Sequence, residues 1–173
     1  AGRKPTRRID DLAFLRRLSL DTIGLVPTMG ALHGGHLSLV ERALQAGDRV
    51  LVTIFVNPLQ FEDAADLARY PVTLAEDLEQ LRTAGAHAAF IGRSADIYPP
   101  RFQSFVEPRG NALPLEGAAR PGHFRGVATI VLKLLLMARP SRAYFGLKDF
   151  QQLRVVEALV RDRQESLSGD RGP

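Results

Sequence analysis

Cysteine is absent from the 173 residues, which excludes disulfides, thiolate catalysis and cysteine–zinc sites. The absence fits a cytoplasmic setting, where disulfides are rare. Long apolar runs are missing too. The longest, Val127 to Met137, is interrupted by Lys133 and is too short to span a bilayer, and no signal peptide opens the chain. Aromatics make up 7% and do not interleave with the basic residues near the ends, such as Arg7, Arg8, Arg154 and Arg161. The net charge of +4 therefore reads as a solvated surface that favours anionic substrates, with no nucleic acid and no membrane as partner. No internal repeat or low-complexity segment appears.

What remains is ordinary for one globular domain with a real core: 45% hydrophobic and 24% charged residues. The patterning predicts a surface helix over Asp10–Leu18, a strand over Ile23–Val26 ending at Pro27, and a helix from His36 to Ala46. A second strand runs from Val50 to Val56, and a loop covers Leu59–Pro71. Thr73 and Glu76 have capping-box spacing ahead of a helix to Ala84. Strands follow at Ala88–Ile91, Gln103–Val106 and Arg142–Phe145, with a buried helix at Val127–Ala138 and a last helix at Lys148–Val160. Such alternation predicts an α/β fold with a mostly parallel, doubly wound sheet, in which ligands bind beyond the carboxyl ends of the strands.

Three polar sets fall at such ends. The first, Met29-Gly30-Ala31-Leu32-His33-Gly34-Gly35-His36, joins a strand to a helix through small residues. Backbone N–H groups and the positive end of the helix can meet an anion there, with His33 and His36 aimed at it. The second set, Asn57 to Phe61, holds Gln60, whose amide can hydrogen-bond a carboxylate or hydroxyl. The third, Gly146-Leu147-Lys148-Asp149 with Gln152, offers close backbone approach, a mobile charge for phosphate and a carboxylate for ribose hydroxyls. A zinc site on His33 and His36 lacks a third ligand nearby.

His33-x-Gly35-His36 resembles the signature of the adenylyl-transferring α/β superfamily. Together with Ile54–Phe61, the segment Arg120-Pro121-Gly122-His123-Phe124 and Tyr144–Leu153, it resembles the pantoate–β-alanine ligase (pantothenate synthetase) family from about Ile9 to Asp162. That resemblance implies a Rossmann-like domain that adenylates pantoate with ATP, releases pyrophosphate, and lets β-alanine displace AMP. It implies ATP contacts at Met29 to His36 and Gly146 to Asp149, and catalytic roles for His36 (as proton donor), His33 and Lys148. It also implies a contact shared by pantoate and β-alanine at Gln60, a pantoate contact at Gln152, a homodimer, and Mg²⁺ near the helix of Glu76, Asp77 and Gln80, with Asp77 as ligand.

Two departures stand out. Leu147 occupies a position that is commonly Glu in the family. After Asp162 the family continues with a strand, a Ser-Ser-Arg segment and a C-terminal lid. Here residues 163–173 match none of these and are composed like an unstructured tail. The expected division is a nucleotide- and pantoate-binding domain at 1–162, no lid, and reduced or no activity. Two other readings stay open: a non-catalytic, dimerising nucleotide-binding remnant, and another His-x-Gly-His nucleotidyltransferase.

Overall fold

A computed structural model describes residues 5–17, 22–163 and 168–171. Six strands form one parallel sheet: β1 (Arg7–Ile9), β2 (Ile23–Thr28), β3 (Arg49–Ile54), β4 (Ala88–Ile91), β5 (Arg142–Phe145) and β6 (Ser168–Arg171), in the order β1-β4-β3-β2-β5-β6. Eight helices connect them: α1 (Leu12–Arg16), α2 (Gly34–Gln45), α3 (Ala64–Arg69), α4 (Leu74–Ala84), α5 (Ser94–Ile97), α6 (Glu116–Ala119), α7 (His123–Ala138) and α8 (Phe150–Asp162). None is long and apolar enough to cross a membrane.

The strands read as continuous apolar runs because both sheet faces are covered. Along β3, Val50 and Val52 join one core with Leu39, Val40 and Leu81 of α2 and α4. Leu51 points the other way, into a core with Val127, Val131 and Leu135 of α7 and Val155 of α8. Chain direction across the sheet reverses beside β2: the chain runs outward through β3 and β4, then returns to place β5 on the opposite side. The loops after β2 and β5 therefore diverge, and a cleft opens between them.

Several expectations need correction. Strand β2 runs through Pro27 to Thr28. Its odd residues face β5 (Ser141 N–H donates to Ile23 O), and its even ones face β3 (Phe55 N–H donates to Thr28 O). Pairing with β5 covers only Gly24 and Leu25, so the missing N–H of Pro27 breaks no ladder bond. The expected strand at Gln103–Val106 does not form, because Val106 N–H goes to the Thr129 hydroxyl instead of a neighbouring strand. Helix α3 replaces part of the expected loop, with Asp63 capping it by accepting from Asp66 N–H. The expected first helix is described only to Arg17; Leu18 lies outside the described residues. In the tail, 164–167 and 172–173 also lie outside them, but 168–171 is not unstructured. It pairs in parallel with β5, satisfying an edge whose backbone groups would otherwise be open.

Candidate active site

The β2–α2 turn, the turn after β3 and the β5–α8 turn converge on a cavity of about 380 Å³ at the carboxyl ends of the strands. Met29, His33, Gly35 and His36 line it from the first turn, Gln60 from the second, and Gly146, Lys148, Asp149 and Gln152 from the third. All three predicted sets thus reach one space. Gly30, Ala31, Leu32, Gly34 and Leu147 do not line it. Leu32 is instead packed into the α2–α4 core.

The helix start is built differently from a bare anion-binding turn. His33 is the N-cap of α2, and its Nδ1 accepts from Gly35 N–H at 3.1 Å. His36 reaches back, and its Nδ1 accepts from His33 N–H at 3.2 Å. The rings sit 4.1 Å apart, centroid to centroid. The two imidazoles thus occupy amides that an anion would otherwise meet. With each Nδ1 accepting, each neutral ring carries its proton on Nε2, its one remaining donor.

Burial lowers the His36 pKa, and the neighbouring His33 charge adds to this against Asp77 and Asp149. His123 is likewise lowered, by burial first, as is His87. A histidine with a pKa below the unfolded value of about 6.5 binds its proton more readily when unfolded, so stability is lost as pH falls from about 6.5 toward the folded pKa. Chemical denaturation should therefore show falling stability from about pH 7 to pH 5. His36→Gln, which keeps an acceptor for the cap, should flatten part of that slope; an unchanged slope contradicts the assignment.

Behind the turn, Asp77 is 1% exposed. Its Oδ2 accepts from Ala31 N–H at 3.0 Å, and its Oδ1 accepts from Leu32 N–H at 2.9 Å and from the Thr73 hydroxyl at 3.2 Å. The expected capping box at Thr73 does not form: its hydroxyl is turned to donate to Asp77 and accepts no helix N–H. Gly30 and Ala31 both have positive φ, +79° and +49°, and a Cβ on Gly30 would lie 3.0 Å from Asp77 Oδ2. Asp77 thus clasps a strained turn. Both oxygens of Asp77, the residue that the resemblance implies as a magnesium ligand, are engaged by the loop in this structure.

Sequence reasoning passed over Tyr70 and gave Asn57 no role. Tyr70 also lines the cavity, its pKa raised by burial and by Asp77. Asn57, 1% exposed, donates to Gln60 Oε1 at 2.9 Å and to Gly126 O at 3.1 Å. A buried amide placed before Pro58 was the available signal for Asn57. Tyr70 had none, since its place depends on the unforeseen helix α3.

Comparison with known proteins bears on the fold and the family. A family model described as pantoate-beta-alanine ligase matches residues 6–168. The chain is 56% identical over 142 residues to a pantothenate synthetase of Cereibacter sphaeroides, covering 82% of this chain and 51% of that protein. With the Ruegeria sp. enzyme it shares 53% over 159 residues, covering 90% and 57%. It therefore spans about half the length of these curated relatives. Pantothenate synthetase from Thermus thermophilus superposes with a TM-score of 0.93 at 45% identity, covering 97% of this chain and 62% of that one. Pantoate-beta-alanine ligase from Francisella tularensis, solved with beta-gamma ATP and beta-alanine, also gives 0.93, at 38% identity and covering 97% and 67%. The chain belongs to the pantoate–β-alanine ligase family.

Proposed function

We propose that this chain is the nucleotide- and pantoate-binding part of an ATP-dependent ligase that joins pantoate to β-alanine. The observation that carries the reading is the meeting of His33 and His36 with Gln60, Gln152 and Lys148 in one cavity at the reversal of the sheet. A pantoate carboxylate oxygen attacks the α-phosphorus of ATP, the bond to pyrophosphate breaks, and pantoyl-adenylate forms. The β-alanine amine then attacks the acyl carbon and AMP departs. Negative charge grows on the leaving pyrophosphate, and the Nε2–H donors of His33 and His36 with the Lys148 ammonium are placed to stabilise it. Gln60 and Gln152 orient the acid without adding a charge that repels it. Asp149 suits the ribose hydroxyls, beside the backbone of Gly146 and Leu147. Mg²⁺ bound together with ATP would offset the negative charge of its phosphates.

Pyrophosphate–ATP exchange tests the reading. Labelled pyrophosphate should enter ATP only when pantoate is present, and Gln60→Ala should abolish the exchange. ATP binding without any exchange would favour a non-catalytic nucleotide-binding role, and exchange independent of pantoate a different nucleotidyltransferase. We further propose a homodimer in the cytoplasm, using apolar surface in the loop-rich 92–121 interval, where Phe105 is 40% and Leu113 62% exposed. Sedimentation at micromolar concentration should show a species of twice 19.0 kDa; a monomer alone would refute it.

A further inference from the structure

The polarity of the Gln60 amide can be traced, bond by bond, to Gly126 O. Gly126 O is a carbonyl and only accepts, so the Asn57 atom 3.1 Å from it is the amide nitrogen. The same nitrogen lies 2.9 Å from the Gln60 amide, which must present its oxygen. Asn57 Oδ1 then faces the Tyr98 hydroxyl at 2.7 Å, and that hydroxyl donates. The other donor to Asn57 Oδ1, Leu59 N–H, is distant at 3.4 Å. Tyr98 is itself held by ring contacts with Phe55 and Phe102, at 6.0 and 4.9 Å between centroids.

The backbone of this turn is fixed independently. Arg120 Nη2 donates to Gln60 O at 3.0 Å, and His123 Nδ1 lies 3.1 Å from the same oxygen. Gly126 packs so closely that a Cβ there would lie 2.4 Å from Leu59 O. The remaining freedom of Gln60 is the orientation of its side-chain amide.

We infer that Tyr98 is a positioning residue: Gly126 O sets the polarity of Asn57, and the Tyr98 hydroxyl holds that amide in place, so that Gln60 is kept with its amide nitrogen, a pair of N–H donors, toward the cavity. The site thereby selects a carboxylate or hydroxyl oxygen at that point and disfavours an ammonium group. The inference rests on the proposed binding of pantoate at Gln60 for its consequence, though not for its geometry.

Tyr98→Phe removes the donor while keeping the ring. Without ligand, the ¹H–¹⁵N signals of the Asn57 and Gln60 side-chain amides should both move in this variant. Unmoved Gln60 signals overturn the inference whatever pantoate does. In calorimetric titration, the pantoate Kd should rise about tenfold, and the thermal midpoint should fall, because buried Asn57 Oδ1 loses its close donor. In a Gln60→Ala background the same substitution should add nothing to the loss of pantoate affinity, whereas a merely structural role would give additive losses of affinity. If Gln60→Ala leaves pantoate affinity intact, the functional reading fails, and the amide signals alone decide the relay. If Gln60→Ala weakens pantoate but Tyr98→Phe does not, the relay fails and the functional reading stands.

Discussion

Asp77→Ala should lower the thermal midpoint by about 6–12 °C, corresponding to roughly 3 kcal/mol. The carboxylate is buried and accepts from two successive backbone amides and a hydroxyl. Removing it strands the N–H groups of Ala31 and Leu32 and releases a turn whose Gly30 and Ala31 sit at positive φ. The lost amides have no water-exposed alternative near Leu32, which is itself buried. ATP affinity should fall with stability, since the same turn carries His33 and His36 into the cavity. Differential scanning calorimetry checks the first effect. An unchanged midpoint would contradict the hold of Asp77 on this turn.

His36→Ala should cost roughly 2–4 kcal/mol of transition-state stabilisation in pantoate-dependent exchange, through loss of a placed donor. It should also cost about 1 kcal/mol of stability, because His36 Nδ1 caps the backbone of His33. The two effects can be separated. His36→Glu restores a capping acceptor at this position, as Glu does at the third residue of many helices. It should recover the stability while opposing phosphate with a negative charge, so exchange should stay as low as in the alanine variant or fall further. Denaturation midpoints alongside exchange rates read both. Full activity in either variant would remove His36 from the mechanism.

The parts of the fold that follow from burial were legible in the sequence. Ala88–Ile91 and Arg142–Phe145 are strands with the predicted bounds, because short apolar runs between turn residues have few other uses in an α/β chain. The three polar sets were legible as a group for the same reason: each directly follows a buried strand. What stayed hidden depends on distant partners. Strand β1 is three residues long and exists through its pairing with β4. Residues 168–171 look like a tail until β5 offers an edge.

Asp77 carries a structural signal that its position in the helix pattern makes legible. It lies three residues after Leu74 and four before Leu81, on the apolar face of α4, and so points inward. An acid on a buried face needs donors, and the nearest are the amides of a glycine turn far away in sequence. The resemblance implies a metal there, and in this structure the oxygens of Asp77 accept from backbone N–H groups. At His33 and His36 the residue types were legible, but not the reciprocal capping, which requires the helix to begin at Gly34 instead of His36.

The central claim is that the three strand-end turns form one site for ATP and pantoate. Titrating each ligand into the ¹⁵N-labelled chain and following the backbone and side-chain amides tests it most directly. ATP should perturb residues 29–36 and 146–149, pantoate should perturb the side-chain amides of Gln60 and Gln152, and the outer groove between α2 and α4 around Glu41 and Gln80 should stay silent. Perturbation confined to that outer groove, or no response at the turns with millimolar ATP, would contradict the account.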